Sequence, residues 1–423
     1  MKNVAEFINT KSYRQALARL CRLADSPTPD GRRVLDDWER SHERSVHAIG
    51  GATERLVNED APVISDFELS KDPLLWLQVL DEYCYREIRS NSYLYNIRIN
   101  DGYGLVYVLP INQKSGNAAR RNQFGNISFW LKHHRVVPLT NPQGIPVDVA
   151  GVPKGYKDWT FQQLAGEIIR IAVVHFTDGI VPNILYKEPD HFVCDGISDE
   201  NKRLATALEH IRQAKRQGAH ILVMPELTIT HALRVKIVAE LERMNEGGDE
   251  NHSMSIPFIV LGSFHEQVED GWRNHAEAVL GLDGAHLFGC DKRKSVTFNN
   301  CKEGIECSPM PLTCLFVPLG LMAIAICKDL FEEEPAAVLA SLPLDWLLVS
   351  SMSDNINPHK MSARTMHNKG GTIVAVANQE MLDGSDAIPG FVHYDKEPEP
   401  CKTGLTIVSI PKKESDLTLI VFN

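Results

Sequence analysis

The chain has 423 residues, 43% of them hydrophobic and 23% charged, with a formal net charge of −11. This length exceeds one small domain, and the apolar fraction suffices for packed, soluble cores. The acidic balance gives no support to an extended nucleic-acid surface, and no apolar run approaches the length of a membrane span. The charge is unevenly spread: residues 1–160 carry 21 Lys and Arg against 19 Asp and Glu, leaving 23 against 36 for the rest. A near-neutral front and an acidic body predict two modules, 1–160 and 161–423. The start, Met1 to Phe7, lacks an apolar core of signal-peptide length, and the nine cysteines form no C-x-x-C pair. Both features predict a reducing, cytoplasmic setting.

Residues 1–60 read as helical, with Leu17, Leu20 and Leu23 at helical spacing and a second pattern from Val34 to Val57. Asp72-Pro73 opens a further helix, Leu74 to Ile88, with Leu74, Leu77, Leu80 and Cys84 as its apolar stripe. Tyr93 to Ile99 and Leu105 to Leu109 alternate at period two around Asn100-Asp101-Gly102, which predicts a hairpin. Arg120, Arg121 and His133-His134-Arg135, near Phe129 and Trp130, allow a single-stranded nucleic-acid contact by this front region. With so few basic residues, solvated loop charges are the plainer explanation. The proline- and glycine-rich run Pro138 to Pro153 reads as an extended connection.

From Ile168 onward the pattern becomes α/β. Ile168 to Phe176 and Ile221 to Met224 read as buried strands around an amphipathic helix, Asn201 to Gln217. Further strands are expected at Phe258–Leu261, Ala278–Leu282, His286–Phe288, Leu321–Ile326, Asp345–Val349 and Thr372–Asn378, with helices between them.

Three strand ends carry chemistry. Glu226 follows the Ile221 strand, Lys292 the His286 strand, and Cys327 the Leu321 strand. Each alone has a plain reading, as a helix-start carboxylate, one of a charged trio, and a core thiol. Together they supply a base, an oxyanion-stabilising cation and a nucleophile for acyl chemistry. The acidic helix start after Cys327, together with Lys292, predicts a depressed thiol pKa, and makes Cys327 the most alkylation-prone of the cysteines.

The ordered set Met224-Pro225-Glu226, Cys290-Asp291-Lys292 and Ile326-Cys327-Lys328-Asp329 resembles the nitrilase (carbon–nitrogen hydrolase) superfamily, from about Ile168 onward. Arg273-Asn274-His275-Ala276, Phe331 with Glu334, and Ala377-Asn378 resemble further family positions. The resemblance implies an α/β fold, a nitrilase-like αββα sandwich, here behind a mainly helical α+β extension. It implies a hydrolase acting on a non-peptide carbon–nitrogen bond (amide, carbamoyl or nitrile) through Glu226, Lys292 and Cys327 and a thioester acyl-enzyme. No cofactor or metal is implied; a small amide or nitrile substrate and a homodimer or larger homo-oligomer are. The departures are Cys290 where the family has an aromatic residue and His367-Asn368 where it has Glu-Asn. A second active-site glutamate has only Glu303 and Glu306 to draw on, and Lys294 is an alternative to Lys292. These departures and the unfamiliar front region support a second expectation, a sensing or scaffold module with little or no catalysis.

Overall fold

The computed structural model describes residues 4–24, 46–57, 63–90, 98–100, 105–110, 131, 133–140, 144–153, 156, 160, 163–164, 168–187, 190–246, 255–269, 271–307, 311–317, 319–379, 389–395 and 397–411. The expected helix turns at Val34 to Arg44, the strand start at Tyr93, the hairpin turn at Asp101 and the Arg120-Arg121 segment with Phe129 and Trp130 lie outside them. The chain divides into two compact units: residues 1–141 with 341–343 and 413–423, and residues 142–340 with 344–412.

The first unit contains helices α1 (Val4–Asn9), α2 (Tyr13–Ala24), α3 (Val46–Val57), α4 (Asp66–Lys71) and α5 (Pro73–Ser90). Strands β1 (Arg98–Asn100), β2 (Leu105–Pro110) and β3 (His134–Pro138) form an antiparallel sheet in that order. The stripe Leu74, Leu77, Leu80 and Cys84 is buried with Leu17 and Leu20, as its spacing requires. Ser65 caps α4 by accepting from the Glu68 N–H, and Asp72 does the same for Leu75 at the start of α5. Inside this unit Asp81 of α5 meets His134 Nδ1 at 2.9 Å and accepts from the His133 backbone N–H at 3.0 Å.

The second unit is built on two facing sheets. One is six-stranded, in the order β11 (His286–Asp291), β10 (Gly271–Leu280), β9 (Phe258–Val268), β8 (Ile221–Val223), β5 (Ile168–His175) and β20 (Gly404–Pro411). The other is seven-stranded: β19 (Glu399–Pro400), β18 (Gly390–His393), β17 (Ile373–Gln379), β16 (Trp346–Met352), β15 (Gly320–Ile326), β14 (Leu312–Val317) and β4 (Val147–Gly151). Thus part of the run read as a connection is an edge strand, paired in parallel with β14. A smaller sheet joins β12 (Thr297–Phe298), β13 (Cys301–Glu303), β7 (His191–Ile197) and β6 (Pro182–Lys187).

Alternate residues of the two large sheets meet in a single core, Ile171, Val173, Val223, Val260 and Ala278 from one and Ile324, Ile326, Leu348 and Ala375 from the other. The opposite face of the first sheet packs on helices α6 (Glu200–Arg216) and α7 (His231–Glu246), through Leu208, Ile211, Leu233 and Ile237. Helix α8 (Glu333–Ser341) faces the second sheet across a small cavity that its Val338 and Leu339 line with Leu312, Ile324 and Ala325, and helix α9 (Asn357–Gly370) lies on the same sheet. The layers are therefore α, β, β, α. Among the described residues no helix is long and apolar enough to cross a membrane.

One irregularity in β9 matters for the site. Ala278 faces Val260 but Ala276 faces Ser263, so Leu261 and Gly262 together oppose a single residue of β10. This is a β-bulge, with Gly262 at φ +73°. Side chains alternate strictly, so one extra residue reverses the facing of everything after it. Before the bulge Val260 points into the inter-sheet core; beyond it Ser263 and His265 share that face with Ala276 and Asn274. A Cβ on Gly262 would stand 2.3 Å from the Pro225 carbonyl oxygen, one residue before Glu226. Gly262→Ala should therefore cost about 2–4 kcal/mol, from left-handed strain and the backbone clash. Thermal unfolding of the variant checks this; an unchanged melting temperature would refute the backbone contact.

Candidate active site

The three strand ends named above converge. Strand β15 is buried along its whole length and ends with Ile326 opposite Ser350 of β16. Cys327 follows at φ +46°, a left-handed conformation that a side chain adopts only at a cost. It opens a single 3₁₀ turn, Cys327–Leu330, ahead of α8. Past β8, Glu226 bridges to Ser263 and Leu227 turns at φ +54°. Lys292 leaves β11 with its N–H donated to the Asn274 carbonyl at 2.8 Å.

The buried Lys292 ammonium donates to Glu226 Oε1 at 2.7 Å and to Glu303 Oε2 at 2.8 Å. Asn274 Nδ2 donates to the same Glu226 oxygen at 2.8 Å and to Glu303 Oε1 at 3.1 Å. The other Glu226 oxygen accepts from the Met352 N–H at 2.9 Å. Glu303 also receives the Val296 N–H at 2.9 Å and His265 Nε2 at 2.8 Å. His265 Nδ1 accepts from the Cys194 N–H at 2.7 Å, which leaves the ring hydrogen on Nε2 for Glu303. Glu303 is thus the second carboxylate of the cluster. Glu306, the other possibility, is exposed and lies against Gly271. Lys292 rather than Lys294 occupies the cluster.

Electrostatics follow from this geometry. Burial would lower the Lys292 pKa, but the carboxylates of Glu226 and Glu303 override it and hold the ammonium well above the ordinary value. Burial works against ionised Glu303 too, yet Lys292 and His265 bring it down to about 2. The thiol behaves otherwise than expected. Burial first, and then the charge of Glu226, push Cys327 up to about 12, and Lys292 opposes them only in part. The expectation of a resting thiolate fails because Lys292 is already shared by two carboxylates, and because helix α8 begins six residues after Cys327. Cys327 is buried, whereas Cys307 is exposed, so accessibility does not favour Cys327 for alkylation either. A resting thiol requires a base at the moment of attack.

Asn378 clamps Ser353, accepting its N–H at 3.0 Å and donating to its carbonyl at 2.9 Å, at the end of β17. His367 Nδ1 lies 3.2 Å from the Thr372 carbonyl, with its ring edge-on to His393. His265 was not among the expected site residues; the only trace of it in the sequence is Gly262 interrupting an apolar strand. Among the described residues no group of three or more His, Cys, Asp or Glu is placed to share a metal ion.

Asp329 ties the nucleophile turn to the lysine loop, both its oxygens accepting from the Arg293 N–H at 3.0 and 3.1 Å. Burial raises its pKa to about 7 in spite of that hydrogen bond. The folded value exceeds the unfolded one of about 3.9. Folding therefore favours the protonated form, and this stability is full below about pH 4 and lost as pH rises through 7. Asp329→Asn keeps an acceptor and removes the titration. Its melting temperature should gain on wild type from mildly acidic to mildly alkaline buffer, by up to about 4 kcal/mol in stability. A difference independent of pH would refute the assignment.

No family model matches the chain. Among curated proteins it is similar to the chloroplastic omega-amidase of Arabidopsis thaliana, 26% identical over 161 residues. The match covers 34% of this chain and 43% of that protein, so the chain spans less than half of that relative's length. Among solved structures it is similar to an amidase from Nesterenkonia sp., at 17% identity and a TM-score of 0.41, over 57% of this chain and 90% of that one. The NitFhit protein of C. elegans is similar at 14% identity and a TM-score of 0.41, over 58% and 61% respectively. The ordered strand-end motifs and the αββα layers accord with the expected resemblance to the nitrilase (carbon–nitrogen hydrolase) superfamily, and part of the chain is similar to an omega-amidase.

Proposed function

We propose that the protein is a carbon–nitrogen hydrolase that cleaves a small non-peptide amide through Glu226, Lys292 and Cys327. The carrying observation is the shared ammonium: Lys292 is held by Glu226 and Glu303 together, at the strand ends that also present Cys327. A buried cation so placed has little structural purpose that an apolar residue could not serve more cheaply. It is, however, what an oxyanion needs.

In this reading Glu226 takes the Cys327 proton as Sγ attacks the carbonyl carbon. Lys292 Nζ and the backbone N–H of Lys328 hold the oxygen as it becomes negative, each donor worth a few kcal/mol in the transition state. The tetrahedral adduct collapses as Glu226 returns the proton to the departing nitrogen, leaving a thioester and a free amine or ammonia. Glu226 next takes a proton from water, the hydroxide attacks the thioester, and the carboxylic acid leaves as Cys327 regains its proton. Glu303 keeps Lys292 charged and in position throughout. The elevated thiol pKa is consistent with a proton removed during attack rather than beforehand. An amide is favoured over a nitrile or carbamoyl compound because the curated relative is named an omega-amidase. A separate role for residues 1–160 and assembly into homo-oligomers belong to the same proposal.

A screen of ammonia release over amides, carbamoyl compounds and nitriles identifies the substrate. On that substrate Cys327→Ala should abolish turnover. Glu226→Gln, nearly isosteric, should lower kcat by about 10²–10⁴-fold, toward the upper end because both half-reactions use the base. Its melting temperature should remain close to wild type. Near wild-type rates for Glu226→Gln would refute the triad, and no turnover of any compound in the screen would favour the scaffold alternative.

A further inference from the structure

The last residue of β16 makes two backbone contacts at the site whose purpose the proposed reaction leaves unassigned. Glu226 Oε1 accepts from both Lys292 and Asn274, which fills its two lone pairs. Oε2 accepts from the Met352 N–H at 2.9 Å and, among the described residues, keeps its second lone pair open. A proton that Glu226 takes from Cys327 therefore goes to Oε2. The Met352 carbonyl meets the nucleophile, accepting from the Cys327 thiol at 3.8 Å, the long reach of a sulfur donor. One residue thus touches base and nucleophile at once.

Strand pairing explains how. In extended backbone the N–H and C=O of one residue point to the same side, and those of the next residue to the other. Ser353 turns its N–H to β17, where the Gln379 carbonyl accepts it at 3.0 Å, so Met352 turns its own groups toward β15. The β15 ladder ends at the Ile326–Ser350 pair and gives way to the Cys327 turn. The Met352 groups therefore meet Glu226 and Cys327 instead of a strand. The chain then leaves the sheet, with Asp354 and Asn355 exposed, and a strand end of this kind frays unless it is held. Asn378 holds it. The Ser353 N–H is shared with Asn378 Oδ1 at 3.0 Å, and Nδ2 donates to the Ser353 carbonyl at 2.9 Å. The Ser353 N–H and the Met352 carbonyl belong to one planar peptide, so fixing the first orients the second. Asn378 is fully buried, and its backbone is anchored independently of its side chain: its carbonyl accepts from His175 Nδ1 at 3.0 Å, and its N–H donates to the Pro389 carbonyl at 3.2 Å.

We propose that Asn378 is a positioning residue for the reaction: by clamping Ser353 it keeps the Met352 N–H on Glu226 Oε2 and the Met352 carbonyl on Cys327, and so aims the base at the nucleophile. The proposal rests on Glu226 and Cys327 acting as base and nucleophile. Asn378 neither gains nor loses a proton.

Nitrogen-15 methionine labelling reads the contact without turnover. The Met352 amide, recognised by its loss in Met352→Leu, should lie well downfield because a carboxylate accepts from it. Asn378→Ala should draw it upfield while the amides of Met224 and Met322, buried in the same unit, stay in place. On the amide found by the screen, kcat should fall about 10²-fold with KM little changed, since aim is lost and substrate contacts are not. Asn378→Asp gives an independent reading. Its carboxylate cannot donate to the Ser353 carbonyl, whereas its protonated form restores both bonds. The ratio of its kcat to wild type should therefore be low at neutral pH and recover toward about pH 5. An unmoved Met352 amide in folded Asn378→Ala would overturn the proposal, as would a near wild-type kcat, or an Asn378→Asp ratio that is flat across that range. Failure of the base assignment shows in Glu226→Gln alone, and failure of the positioning shows here, so the two are told apart.

Discussion

Two carboxylates share one ammonium inside this protein, and the second unit is arranged to make that tolerable. Removing a lysine and two glutamates from water costs several kcal/mol per ion, which is recovered only with close geometry and nearly complete hydrogen bonding. Glu226, Asn274 and Lys292 lie at or near the ends of strands of the six-stranded sheet, and Glu303 arrives from the small sheet. His265, Asn274 and the N–H groups of Val296 and Met352 fill carboxylate lone pairs that the lysine leaves over. Removing one member would leave the others charged and unmatched, at about 3–5 kcal/mol.

The same arrangement explains the thiol. Helix dipoles and lone lysines lower thiol pKa values, and a sequence displays both beside Cys327. What it does not display is how many anions divide the cation. Once Glu226 and Glu303 both hold Lys292, little positive field remains for sulfur, and burial dominates. A neutral thiol suits an interior site, since it costs less to bury than a thiolate and resists oxidation.

The sheets and the strand-end residues were legible because they depend on short-range pattern. Apolar runs ending at Glu226, Lys292 and Cys327 mark strand ends without any knowledge of pairing, and the motif order carried the family resemblance. Glu303 was only one of two possibilities, since it belongs to a three-residue strand whose partner, β7, lies over a hundred residues earlier. His265 was not legible. It is an ordinary histidine in the sequence, and its place at the site depends on a bulge. The edge strand Val147–Gly151 was hidden by the prolines around it, which suit an edge strand as well as a linker.

The bulge at Gly262 also bears on how this chain can change over evolutionary time. Substitutions along β9 alter one contact each, but loss or gain of a single residue there would invert the strand beyond it. Val260 would keep its place while Phe264, now packed among the helix-facing residues, would turn toward Asn274 and Glu303, and His265 would turn away. A one-codon deletion would thus replace a polar support of the cluster with a phenyl ring while leaving the composition almost unaltered. Length at this point is therefore more constrained than identity, and insertions or deletions should accumulate instead in the loops between strands, where no alternation is at stake.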